Sequence, residues 1–296
     1  MFTDLDTVMN DSLRVHEERL GIDTPEVNLS SRFAFLIRKL AETTGKKVVI
    51  LVDEYDKPLV NNINEPDRFV TYRNKLAALY SNFKSSADYI RLVFLTGVSR
   101  FGKLSVFSGL NNLRDISFQN EYSSICGITE VELHDNFAQG ITELAEEYER
   151  TPEEEMKELK RWYDGYHFSS KSPDIYNPFS LLQIFAAKEY SNYWIASGNS
   201  TLLAQLLKKT DADLEGVMHA VCDKSALEGL DFDNISLEAL LYQTGYLTIK
   251  RFDSCRNLFH LGIPNEEVKQ GFFSSLIPYY TSLHIVTKSK GHPFCL

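Results

Sequence analysis

Apolar positions recur at helical spacing over residues 31–43, where Phe33, Leu36, Ile37 and Leu40 share one face. Ser30 or Ser31 can cap the start of this helix, and Gly45 ends it. Lys46 and Lys47 then lead into Val48-Val49-Ile50-Leu51-Val52, a β-branched run with no polar alternation. That pattern predicts a strand covered on both faces, as in a parallel sheet. It ends in Asp53-Glu54-Tyr55-Asp56-Lys57-Pro58. A helical stretch from about Pro66 to Ser85 places Leu76, Leu79, Tyr80 and Phe83 on one side. Ile90 to Leu95 reads as a second strand, closing at Thr96-Gly97. Helix, strand, helix, strand implies an α/β layer whose ligands sit at the carboxyl ends of the strands.

Beyond residue 130 the pattern turns helical and acidic. Thr151-Pro152-Glu153-Glu154 supplies a capping Thr, a Pro in the first turn and a Glu at the third position, which together start a helix. Met156, Leu159, Trp162 and Tyr163 give it an apolar face. Phe179 to Tyr190 and Ser200 to Lys209 read as further helices. In 212–285, short helices lead to Leu240–Ile249, and a short strand at Leu258–Leu261 precedes Ile263-Pro264-Asn265. Helices followed by a hairpin suggest a small winged-helix-like module. The natural partition is 1–125, a helical 126–211, a module over 212–285 and a tail over 286–296. No internal repeat or low-complexity segment interrupts it.

Composition narrows the setting. The chain has 296 residues, 43% of them hydrophobic and 24% charged, the proportions of a globular protein with room for about two domains. With 31 Lys and Arg against 41 Asp and Glu, the net charge is −10. That opposes a broad basic surface for nucleic acid. Cys126, Cys222, Cys255 and Cys295 form no C-x-x-C pair, which argues against structural zinc and fits a reducing compartment. The N-terminus has no apolar signal core, and the longest aliphatic run, Val48 to Val52, falls far short of a membrane span. A cytoplasmic protein with no membrane attachment is the expectation.

The strongest chemical signal is the strand running into Asp53-Glu54, the Walker B pattern. Such a strand aims its last acids at a phosphate site, where Asp53 would hold Mg²⁺ through water and Glu54 would orient or deprotonate an attacking water. A buried strand meeting an acidic loop gives the same letters by chance. Thr96-Gly97-Val98-Ser99-Arg100 follows the neighbouring strand, where Thr96, Ser99 or Arg100 could sense a nucleotide's terminal phosphate. A glycine turn with a polar cap is the plainer alternative. Gly97 to Ser105 nearly spells the phosphate loop G-x-x-x-x-G-K-[ST], but Leu104 stands where the metal-binding hydroxyl belongs. No other such motif occurs in the sequence. Trp162-Tyr163-Asp164-Gly165-Tyr166-His167-Phe168 reads as a packed helix end and turn. Glu158-Leu159-Lys160 and Glu267-Val268-Lys269 have nuclease-like spacing, but both look helical and lack an upstream Asp on a strand. The seven histidines are dispersed and suggest no catalytic set.

Several longer stretches resemble the AAA-ATPase-like proteins common in gut bacteria. They are Leu51 to Leu59, Leu95 to Phe101, Ser105 to Leu113, Gly127-Ile128-Thr129, Trp162 to Tyr166, Tyr176 to Ser180, Tyr193-Trp194, Tyr242 to Leu247 and Gly262 to Val268. The resemblance covers about residues 30–280. It implies a P-loop NTPase-like parallel sheet truncated at the N-terminus, then a helical lid segment and the winged-helix-like module. It also implies ATP and Mg²⁺ as cofactors, and often a C-terminal PD-(D/E)xK nuclease domain. On this comparison Gly97 to Ser105 matches the sensor strand, and the Walker A segment and nuclease domain lie outside the chain.

Two functions follow. The first is an ATP-binding and hydrolysis core of a nucleotide-driven machine, inactive in this chain for want of Walker A. The second is a non-catalytic regulatory module whose winged end docks on a protein partner, on the missing family domains or on DNA. The basic pairs Lys208-Lys209 and Lys250-Arg251 are short, which ranks protein docking above DNA.

Overall fold

A computed structural model describes residues 5–24, 28–98, 106–107, 109–197, 214–228 and 236–280. It opens with α1 (Leu5–Leu20) and α2 (Leu29–Thr44). The sequence reading contained no α1. Its Glu17 is buried against α2, where Arg32 Nε donates to Oε1 at 2.8 Å and Thr24 Oγ1 donates to the same oxygen at 2.5 Å. The Arg32 guanidinium holds that carboxyl below the usual carboxylate range. The cap of α2 also differs from expectation. Asn28 fills it in place of Ser30 or Ser31, because its Oδ1 accepts the Ser31 N–H at 3.0 Å. Gly45 closes the helix in the left-handed conformation, φ 64°.

β1 (Val48–Val52) is followed by α3 (Lys57–Val60), α4 (Pro66–Tyr80), α5 (Asn82–Ser85) and β2 (Ile90–Leu95). The two strands pair in parallel, with Ile50 opposite Val93 and Val52 opposite Leu95. These side chains join Ile37, Leu59, Phe69, Leu76, Leu79 and Phe83 in one core. The expectation of a strand covered on both faces fails here. Val49, Leu51 and Leu92 alternate away from that core and stay 49%, 71% and 51% exposed. Among the described residues the helices pack on the Ile50 side, so a pure aliphatic run gives the strand but not its second cover.

The second half begins with α6 (Glu130–Glu147) and α7 (Pro152–Tyr163), both started by capping boxes. Thr129 exchanges hydrogen bonds with Glu132, and Thr151 with Glu154. α8 (Pro178–Ala187) is capped by Asn177 and ends at Lys188, short of Tyr190. α9 (Tyr193–Ser197) follows. The helix expected over Ser200–Lys209 lies outside the described residues. Then come α10 (Leu214–Met218), β3 (Val221–Cys222), α11 (Lys224–Glu228), α12 (Leu237–Gln243), β4 (Thr248–Asp253), β5 (Leu258–Gly262) and α13 (Glu266–Tyr280). The last three strands form an antiparallel sheet in the order β3-β5-β4.

The fold is therefore mixed α/β, with one small parallel sheet and many helices. It divides into two units, Met1–Asp115 with Ser225–Thr244, and Ile116–Lys224 with Gly245–Leu296. The core of the second is built on Leu133, Leu144, Leu159, Tyr163, Leu181 and Ile184. Cys126 and Cys255 are free thiols. Among the described residues no helix is long and apolar enough to cross a membrane.

Candidate functional site

The carboxyl ends of β1 and β2 are stitched together. Thr96 N–H donates to Val52 O at 2.8 Å, and Tyr55 N–H donates to Thr96 O at 2.9 Å. Parallel pairing thus continues one step past each strand and brings the residues after them side by side. The Thr96 hydroxyl donates directly to Asp53 Oδ1. Asp53 and Glu54 are both exposed, so their carboxylates open to solvent at this edge.

Glu54 adopts φ 53°, in the left-handed region that residues with a Cβ rarely enter. This turns the chain sharply off β1 and into α3. The turn is tied by Lys57 N–H donating to Glu54 O at 3.0 Å and by Lys57 Nζ donating to Glu54 Oε2 at 2.5 Å. The hydrogen bond to Glu54, with its charge, raises the Lys57 ammonium above its ordinary value.

Asp56 behaves differently from its two acidic neighbours. It is fully buried, and its Oδ1 accepts the Val98 N–H at 3.1 Å. Asp56 occupies the N-cap position of α3, ahead of Lys57 and Pro58. The side chain makes no cap bond to α3 and turns instead to the segment after β2. Gly97 lets the two segments meet: a Cβ there would lie 2.6 Å from Tyr55 Cε1 and 2.7 Å from Asp56 Oδ1. The Tyr55 ring in turn packs on Phe107 with centroids 5.0 Å apart.

Of the residues singled out from sequence, the structure brings Asp53, Glu54 and Thr96 to one edge. Ser99 and Arg100 lie outside the described residues, as does most of the loop-like stretch Gly97 to Ser105. Asp56 and Lys57 were not singled out. The signal for Asp56 was the fourth position of Asp-Glu-Tyr-Asp, which a left-handed turn at Glu54 sends inward. For a cation the edge offers a carboxylate and a hydroxyl, the oxygen donors that Mg²⁺ accepts while keeping most of its waters. Among the described residues no three His, Cys, Asp or Glu side chains gather as a metal-holding group. Asp53 and Thr96 are the residues at this edge whose oxygens could hold such a cation.

Residues 2–107, which contain both strands and their carboxyl-terminal turns, match the family model described as a predicted AAA-ATPase. Over residues 2–107 the chain belongs to the AAA-ATPase-like family. The "Uncharacterized protein in vnfD 5'region" of Azotobacter chroococcum mcd 1 is 36% identical to this chain over 279 residues. That alignment covers 94% of the chain and 52% of the relative, so the chain spans about half the length of the curated relative it matches. No solved structure matches it. The family match encloses Asp53, Glu54, Thr96, Ser99 and Arg100 and stops before the second half of the chain, whose basic and acidic residues the structure places separately. There, Lys250 Nζ donates to Pro264 O at 2.9 Å, and Arg251 lies 2.8 Å from His260 Nε2. Glu158-Leu159-Lys160 and Glu267-Val268-Lys269 lie on α7 and α13.

Proposed function

We propose that the β1–β2 edge is the acidic, metal-side half of an ATP site in a P-loop NTPase-like core. The observation that carries this reading is the Thr96–Asp53 hydrogen bond between the ends of two parallel strands. It sets a carboxylate and a hydroxyl where an α/β sheet presents its ligands. Asp53 would hold Mg²⁺ through water, Glu54 would orient the attacking water, and Thr96, with Ser99 and Arg100, would face the terminal phosphate. A bound Mg²⁺ would neutralise charge developing on the phosphates. Glu54 starts out engaged by Lys57, so it must leave that pair to accept a proton.

The sequence contains no complete phosphate loop, and most nucleotide affinity in such sites comes from that loop. The isolated chain is therefore proposed to bind Mg²⁺-ATP weakly and not to turn it over, in a cytoplasmic setting. Titration calorimetry with Mg²⁺-ATP, together with a phosphate-release assay on purified protein, tests this. Weak binding lost in Asp53→Ala, with no phosphate release, is expected. Release that depends on Glu54 would overturn the inactive reading, and binding indifferent to Asp53 would overturn the site.

A second reading is favoured by one topological observation. Along the chain a run of short helices leads to the β4–β5 hairpin, which pairs with β3 in the sheet order β3-β5-β4, as the wing of a winged helix does. This supports a winged-helix-like module within 212–285. The Lys250 and Arg251 side chains are already engaged by Pro264 and His260. That favours docking on protein, including further family domains, over DNA. Salt-dependent DNA binding abolished by changing Lys250 and Arg251 would reverse the order.

A further inference from the structure

We propose that Asp56 is the positioning residue of the strand-edge site: from a buried seat it anchors the turn after β2 and so keeps Thr96 on Asp53. The inference rests on reading that edge as the nucleotide site. Its geometry stands independently of nucleotide.

A fully buried carboxylate is costly unless its oxygens are well used. Asp56 spends one on the backbone N–H of Val98, across to the other strand's turn, when a capping position on its own helix was open to it. Its charge also faces the core: burial first, and Asp56 second, push the buried Tyr80 hydroxyl up to about 12. Three further contacts fix the same few residues. Thr96 N–H to Val52 O and Tyr55 N–H to Thr96 O extend the ladder, and Gly97 lies against Tyr55 and Asp56 so closely that no side chain fits. Thr96 is therefore held on one side by backbone bonds and on the other by the anchored turn. Its hydroxyl has one short reach, to Asp53. Anything that lets Val98 swing out removes the second hold and lets that hydroxyl leave Asp53.

The residue order explains why one short motif can do this. In Asp53-Glu54-Tyr55-Asp56 the left-handed turn at Glu54 separates two exposed acids from one buried acid. The exposed acids face the ligand side, and the buried one locks the neighbouring turn. The same four residues thus supply the chemistry and the alignment of the adjacent strand end.

The test uses the full chain, without nucleotide, by NMR. The carboxyl carbon of Asp53 reports its bond to Thr96, and Thr96→Val defines how far and in which direction that resonance moves when the bond is lost. In Asp56→Ala the Val98 amide is expected to exchange about tenfold faster, as befits the loss of one buried hydrogen bond. The Asp53 resonance should move toward its Thr96→Val position. Asp56→Asn, which keeps an acceptor for Val98, should restore both. Gly97→Ala reaches the same displacement from the other side and guards against an Asp56→Ala protein that fails to fold. An Asp53 resonance unmoved in Gly97→Ala and in any folded Asp56→Ala overturns the proposal. Resonances that move as expected, while Mg²⁺-ATP binding proves indifferent to Asp53, leave the anchor standing and sink the nucleotide reading instead.

Discussion

At Glu54 the backbone conformation and the proposed chemistry pull in opposite directions. A residue with a Cβ held at φ 53° gives up about 1 kcal/mol relative to glycine, less the extra freedom glycine has in the unfolded chain. The ion pair to Lys57 offsets little of this, because both partners are exposed. Glu54→Gly is therefore expected to stabilise the protein by about 0.5–1 kcal/mol, a rise in Tm of roughly 1–3 °C. Glu54→Gln, which keeps the strained backbone and drops the charge, should leave Tm nearly unchanged. Thermal unfolding of the two variants separates backbone from charge, and a Glu54→Gly protein no more stable than Glu54→Gln would remove strain from the picture. The residue scale is also where sequence reading reached furthest and missed most. Asp53 and Glu54 are conspicuous because an acid pair after five aliphatics is unusual. Asp56 carries the same functional group, but its role depends on a left-handed turn that no side-chain pattern announces.

Elements were legible where their signals are local. The start of α7 is an example: Thr151, Pro152 and Glu154 each act within one turn, and the capping box forms with Glu154 N–H donating to Thr151 Oγ1 at 3.2 Å. Its strength can be read directly. Thr151→Ala should cost about 1 kcal/mol and Thr151→Ser much less, measured by urea unfolding. The box also has a pH signature. Hydrogen bonds from the Thr151 backbone and hydroxyl lower the Glu154 carboxyl below its ordinary 4.5. That stabilisation is present above the unfolded value and is lost as pH falls through the lower folded one. Thr151→Ala should therefore lose only the hydroxyl's share of this pH dependence, because the Thr151 N–H bond to Glu154 Oε2 survives the substitution. Signals that depend on partners were less legible. Asn28 outcompeted Ser30 and Ser31 for the cap of α2 by geometry alone, because all three have suitable oxygens. The five aliphatics of β1 fixed a strand in the sequence, but the exposure of Val49 and Leu51 depends on which helices return to cover it.

Across the molecule, the decisive contacts join residues far apart in sequence, where periodicity is silent. Ser225–Thr244 belongs with the first unit, and nothing in its local pattern states this. Glu267 is the electrostatic counterpart within the second unit. It lies in an E-x-K spacing in the acidic first turn of α13. In the structure it is fully buried, where Ser180 Oγ lies 2.9 and 2.8 Å from its two oxygens and Trp194 N–H donates to Oε1 at 2.8 Å. Tyr163, Tyr166 and Tyr193 also feel its charge. Burial raises its carboxyl to about 7, against the donors from Trp194 and Ser180 that favour the ionised form. Asp164, also buried, is raised to about 6. For a raised carboxyl the folded state holds the proton more tightly than the unfolded chain, so stability is full below the unfolded value and falls as pH rises through the folded one. The expected result is a decline in unfolding free energy between about pH 4.5 and 7. The Glu267 share is at most about 3 kcal/mol, given its shift from 4.5 to about 7. Glu267→Gln keeps an acceptor for Trp194 and a partner for Ser180, and it should flatten most of that decline and make the protein more stable at pH 8. The remaining slope belongs to Asp164 and should go with Asp164→Asn. Urea unfolding at half-unit pH steps decides it. A wild-type curve that rises over this range, or one that Glu267→Gln leaves unaltered, would show that Glu267 is ionised in place and that Ser180 and Trp194 suffice to hold a buried charge.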